Sequence, residues 1–153
     1  MDRRQFLRDG GVAGLVAALV AAGGWPAQAL AEGWDETAFG AKQLDDVFRA
    51  WGVESPADSD AIALTAPEIA EHGAVVPLVI ASSVPGTDLL AVLVERNPSV
   101  LAALFTIPPG TAAEVSTRVK MAQTGPVHVL ARAGGRWLRT AREVKITLGG
   151  CGG

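Results

Sequence analysis

Polar and apolar positions alternate in two ways along this chain. Leu44, Val47, Phe48 and Trp51 recur at i, i+3, i+4 and i+7, the spacing of one helix face. Asp45, Asp46 and Arg49 fall off that face, and Gly52 is placed to end the helix. Gly40 weakens anything upstream, so a short helix is predicted over residues 42–51. Residues 54–60, with Pro56, two serines and three acids, read as a loop.

Beyond the loop the pattern changes to short apolar runs. Strands are predicted at 61–66, 74–83, 87–95, 101–107, 114–123, 127–133 and 136–148. Between them stand turn residues: Glu71-His72-Gly73, Pro85-Gly86, Asn97-Pro98, Pro108-Pro109-Gly110, Gly125-Pro126 and Gly134-Gly135. Gly134-Gly135 is the sharpest of these, because a two-residue hairpin turn needs positive φ. Val115, Thr117, Val119 and Met121 share one face of their strand, and Ser116, Arg118 and Lys120 take the other. Residues 75–80 and 89–94 do not alternate and are apolar on both faces. A two-layer sheet normally leaves one face wet, so either the helix or a partner protein covers these two strands.

Seven short strands with frequent turns predict an all-β fold, an immunoglobulin-like antiparallel sandwich with a short N-terminal helix. A single cysteine rules out the disulfide of antibody domains. The 153 residues suit one domain plus an export signal.

The first residues carry that signal. Arg3 and Arg4, followed by Gln5-Phe6-Leu7 and an apolar segment from Gly11 to Gly24, form a twin-arginine pattern. Small residues suited to a signal peptidase follow, Ala27-Gln28-Ala29 or Ala29-Leu30-Ala31. The expectation is a cleaved signal over 1–31, a sandwich domain over 32–148, a tail over 149–153 and a periplasmic protein. The Ala- and Gly-rich apolar segment is weak for a spanning helix, so no membrane attachment is expected after cleavage. The twin-arginine route exports folded proteins. With no cofactor motif in the mature chain, a co-exported partner is the better reason for using it.

Composition excludes some classes. Hydrophobic residues make up 49% and net charge is −3. The first 31 residues hold three arginines against two aspartates, a balance of +1, which leaves −4 for the rest. Mild acidity without a basic patch, no Tyr and few aromatics argue against nucleic acid. His72 and His128 are the only imidazoles and lack ligand spacing, so neither a metal site nor a cofactor is expected.

The candidate chemistry lies in the tail, Gly149-Gly150-Cys151-Gly152-Gly153. Four glycines make a flexible, slim segment that can enter a narrow cleft. Cys151 sits there alone and exposed, unlike a buried structural cysteine. A free thiol in an oxidising compartment is a hazard unless it is used. Adenylation of a terminal Gly-Gly needs ATP and conflicts with export. A thiol enzyme would need a base and an oxyanion site, which glycines do not supply. Two readings remain: a non-enzymatic carrier of covalent intermediates on Cys151, or an exported binding module whose tail Cys forms intermolecular disulfides.

The tail from Val144 to Gly153 resembles the C-terminus of the SoxY family, the sulfur-carrier subunits of the bacterial thiosulfate-oxidising system. Leu44-Asp45-Asp46-Val47-Phe48, Ala66-Pro67-Glu68-Ile69-Ala70-Glu71, Gly73-Ala74-Val75-Val76-Pro77, Val94-Glu95-Arg96-Asn97-Pro98, residues 115–122 and Ala133-Gly134-Gly135 extend the resemblance. His72 stands where the family pattern has Asn, and Ser99-Val100 replaces a more usual Asn-Pro. The resemblance implies an immunoglobulin-like fold and a heterodimer with a smaller sandwich subunit, SoxZ, exported with its mate. It implies that a c-type cytochrome couples thiosulfate to Cys151 and that a hydrolase releases sulfate. A sulfane dehydrogenase, where present, then oxidises the remaining sulfur. No positive charge lies near Cys151 in sequence, so an ordinary thiol acidity is expected, with activation supplied by the partner enzymes.

Overall fold

The structure is a computed structural model and describes residues 35–148. The tail residues Gly149, Gly150, Cys151, Gly152 and Gly153 lie outside the described residues, as do Arg3, Arg4 and the cleavage region.

Two short helices come first. Asp35 caps α1 (Glu36–Phe39), its carboxylate accepting from the Ala38 N–H at 3.0 Å. The other oxygen accepts from Trp51 Nε1 at 2.6 Å, which ties α1 to the end of α2 (Leu44–Ala50). Gly40 closes α1, and Gly52 follows α2 with φ of 64°, a left-handed conformation that costs Gly little. The predicted helix is therefore α2, trimmed at both ends, with α1 as an addition upstream.

Nine strands follow: β1 (Ala57–Asp58), β2 (Ile62–Thr65), β3 (Ile69–His72), β4 (Val76–Ser82), β5 (Thr87–Val94), β6 (Leu101–Thr106), β7 (Glu114–Val119), β8 (Gly125–Ala133) and β9 (Arg136–Leu148). One sheet runs β1-β9-β8-β5-β6 with β3 also beside β9, and the other runs β2-β4-β7. The sandwich expected from the sequence is present, and each of its seven predicted strands has a counterpart. The additions are β1, inside the predicted loop 54–60, and β3, which ends in the predicted turn at Glu71-His72-Gly73. Both pair parallel to β9, so the architecture is mostly rather than wholly antiparallel. Segments of two and four residues on a sheet edge carry no readable alternation, which is why the pattern missed them.

The hairpin at Gly134-Gly135 forms as expected, with φ of 54° and 75° and Ala133 opposite Arg136. Leu90, Val92 and Val94 of β5, with Val127, Val129 and Ala131 of β8, pack against Ile62, Leu64, Val76, Leu78 and Ile80 of the smaller sheet. The alternate positions Ala91, Leu93 and Leu130 point the other way. There they join Ala38, Ala41, Val47, Val100 and Leu101 in a second cluster under the helices. Trp51 stacks on Trp137 with ring centres 5.3 Å apart, and Arg132, paired with Asp88 through two bonds of 2.9 and 3.1 Å, lies over Trp137.

This arrangement separates the two strands that are apolar on both faces. The helices cover the second face of β5. Nothing among the described residues covers the outer face of β4, the central strand of the smaller sheet, where Pro77 and Val79 are exposed. His128 is structural: its side chain is 11% exposed and its Nε2 lies 3.0 Å from Glu95 Oε2.

Candidate functional site

The described residues contain the root of the tail, and the sequence explains how that root is held. β9 is the longest strand, running 13 residues from Arg136 to Leu148. Its antiparallel neighbour β8 starts at Gly125 opposite Val144, so β9 outruns β8 by the residues after Val144. A strand overhanging its partner frays unless something else takes its backbone groups.

Two devices do so here. On one edge β3 runs parallel to the overhang, with Ile69 beside Lys145, Ala70 beside Ile146 and His72 beside Leu148. The Lys145 N–H donates to Glu68 C=O at 2.9 Å, and Thr147 Oγ1 donates to Glu71 C=O at 3.2 Å. On the other edge one side chain replaces the missing strand. Thr124 Oγ1 accepts from the Ile146 N–H at 2.8 Å and donates to the Ile146 C=O at 3.4 Å. Val144 is buried and Ile146 is half-buried against the main core, while Lys145 and Thr147 face solvent. The chain is therefore held as a strand up to Leu148, three residues before Cys151.

The turns beside the root are fixed as well. Met121 N–H donates to Gly73 C=O at 2.6 Å, joining the β7–β8 connection to the β3–β4 turn. Asn97 spans to the same connection, donating to Lys120 C=O at 2.6 Å and accepting from the Ala122 N–H at 2.8 Å. Sequence reasoning placed His72 in a turn; it is the exposed last residue of β3, opposite Leu148. It also missed Thr124 and β3 as parts of the site. A β-branched start bracketed by Pro67 and Gly73 was the available signal for β3. Nothing in the sequence singles out Thr124.

The chemistry of this region is plain. Among the described residues no three His, Cys, Asp or Glu side chains are grouped to hold a metal ion. Shallow grooves lie along α2; one is lined by Asp45, Phe48, Arg49, Gly52, Val53 and Glu54. No helix of the described residues is long and apolar enough to cross a membrane. The root is a support for the segment that follows it, and it presents backbone ends and exposed polar side chains.

Comparison with known proteins adds to this geometry. The model of a family described as sulfur oxidation protein SoxY matches residues 48–151. A solved structure of the sulfur carrier protein SoxY from Chlorobium limicola f thiosulfatophilum is 41% identical, with a TM-score of 0.62. The likeness covers 69% of this chain and 97% of that one. No curated protein matches the chain.

Proposed function

The chain belongs to the SoxY family of sulfur oxidation proteins, sulfur carriers, and from that premise we propose that it carries thiosulfate-derived sulfur covalently on Cys151 in the periplasm. The observation that carries this reading is where the family match ends: on Cys151, the one cysteine of the chain. The held root supports it, because β9 delivers the chain to the tail with its last turn-free residues pinned on both edges.

The outer sulfur of thiosulfate forms an S–S bond to Cys151 Sγ; two electrons pass to a c-type cytochrome and the thiol proton to solvent. Water then attacks the terminal sulfonate sulfur in a hydrolase site. Sulfate leaves with the water oxygen, and a persulfide stays on Cys151. A sulfane dehydrogenase takes six electrons from that outer sulfur to its own acceptor while three water oxygens are added and protons go to solvent; hydrolysis of the resulting sulfonate releases a second sulfate and restores the thiol. In each step this chain supplies the attachment atom and its presentation; acids, bases and electron acceptors come from the partners, so the protein is not itself the enzyme.

A SoxZ-like sandwich subunit is the proposed constant partner. The uncovered outer face of β4, with Pro77 and Val79 exposed in the middle of its sheet, supports an apolar interface there. Export by the twin-arginine route through Arg3 and Arg4 accounts for a partner that travels folded with this chain.

Intact mass of the mature protein from cells grown with thiosulfate tests the carrier reading. Reductant-labile sulfur or sulfonate adducts are expected on the parent and absent from Cys151→Ser. A bare thiol or a plain protein disulfide under every condition would establish the binding-module reading instead.

A further inference from the structure

The outer face of the smaller sheet joins exposed apolar side chains to unpaired cations. Val75, the residue before β4, and Pro77 and Val79 on it alternate with buried Val76, Leu78 and Ile80, so all three face outwards. Val75 is 57% and Val79 40% exposed. The register fixes their neighbours. Val79 stands opposite Thr65 of β2 on one side and Ser116 of β7 on the other, and Pro77 stands opposite Arg118. Residues opposite each other in an antiparallel pair share a face, so Thr65, Ser116 and Arg118 point outwards too, and all are exposed. Lys120, two residues beyond Arg118, continues that face and is exposed.

The apolar strip is too small to hold a subunit by itself. From Val75 to Val79 is about 14 Å, and the flanking strands lie about 4.8 Å to either side, so the strip projects only about 140 Å². A stable interface buries about 800 Å² on each partner. A subunit seated on β4 therefore extends over the margins. The β2 margin is neutral, with Ala63 and Thr65 exposed. The β7 margin holds Arg118 and Lys120, and among the described residues neither side chain is in an ion pair. Arg132 and Arg139 on the other sheet each have an aspartate partner. Glu114, at the start of β7, is about 14 Å from Arg118 along the strand, farther than the screening length of about 10 Å at about 0.1 M salt. It leaves the field of the two cations largely intact.

We infer that the constant subunit presents acidic side chains to Arg118 and Lys120 along the β7 margin, and that this pairing steers it onto β4 and sets which way round it sits. The inference rests on the proposed subunit and its seat on β4, and adds the chemistry of the mating surface. A second copy of this chain would bring one acid of the same face, Glu114, to two cations, so each copy would keep a cation unmatched. A partner with an acidic margin matches both. Because the two charges stand at the rim of the apolar strip, they act on the rate of encounter more than on the lifetime of the complex.

Surface plasmon resonance tests this, with the full mature chain passed over its immobilised SoxZ-like subunit. At about 0.01 M salt, where charges act over about 30 Å, Arg118→Glu with Lys120→Glu should slow association roughly tenfold and leave the dissociation rate unchanged. At about 1 M salt, where the screening length is about 3 Å, the difference should close. Arg118→Gln with Lys120→Gln should fall between parent and reversal, which keeps the test valid if the reversed chain folds poorly. Arg136→Glu with Lys145→Glu makes the same change of charge on β9 and should slow association far less. Parental association by both β7 variants at low salt would overturn the inference, as would faster association, a loss that persists at high salt or an equal loss in the β9 control. So would a parental chain that dimerises alone on gel filtration through the same two cations. Val79→Asp separates the inference from the seat beneath it, and should speed dissociation at either salt. If it does so while the β7 variants behave as the parent, the seat on β4 stands and only the acidic margin falls. Parental dissociation of Val79→Asp would remove the seat and the inference together.

Discussion

At Ile146 both backbone groups meet the hydroxyl of Thr124, where a neighbouring strand would supply a peptide. Because the site is exposed, water competes for these bonds, and their net worth is about 1 kcal/mol. Thr124→Val keeps the β-branched shape and removes the hydroxyl. It should speed amide exchange at Ile146 roughly fivefold, the equivalent of that energy, and leave global stability nearly unchanged. Exchange at the parental rate would show that β3 alone holds the strand. A second residue-scale pairing depends on pH. The Arg139 guanidinium, hydrogen-bonded to Asp58 at 2.9 Å, holds the Asp58 carboxyl below its ordinary range. A depressed folded-state value means that the pairing persists at and above the ordinary carboxylate range and is lost only as pH falls through the lowered value. The Ser59 N–H, which donates to Arg139 C=O at 2.9 Å beside β1, should therefore lose exchange protection in acid, and Asp58→Asn should flatten that dependence.

β4 and β5 look alike in sequence and meet different fates. Both are apolar on both faces, but the second face of β5 lies under Val47 and its neighbours, whereas that of β4 stays open. Val47→Ala should lower unfolding free energy by about 2 kcal/mol, seen as a lower urea midpoint, because it opens a cavity between helix and sheet. Val79→Thr should change the isolated chain by less than about 0.5 kcal/mol, as surface substitutions do. If the partner subunit sits on β4, the same change weakens that complex, measurable by gel filtration at falling concentration. At this scale the sequence was most informative where a residue type forces geometry. The Leu44-Val47-Phe48-Trp51 stripe gives α2, and Gly134-Gly135 gives the β8–β9 hairpin with both residues at positive φ. It was least informative for β1 and β3, whose strand character comes from β9, a partner far along the chain. No local pattern encodes a pairing between Glu68 and Lys145.

For the molecule as a whole the proposed attachment atom stands out in the sequence, whereas the support of β9 does not. Cys151 stands out as a lone thiol among glycines, since composition alone marks it. The clamp on β9 joins Thr124 to Ile146 and Glu71 to Thr147, contacts that exist only after the sandwich has closed. Folding must therefore be complete before the tail has a fixed base. On the proposed twin-arginine route the chain would leave the cytoplasm with that base built and with its proposed subunit in place. The proposed route makes a joint demand on two proteins. Replacing Arg3 and Arg4 together by Lys keeps the charge of the segment and removes the paired guanidinium groups. Both this chain and its SoxZ-like subunit should then remain in the cytoplasmic fraction on immunoblotting. Were the subunit still to reach the periplasm, it would have its own route. Assembly would then follow export, and the exposed face of β4 would have to cross the membrane uncovered.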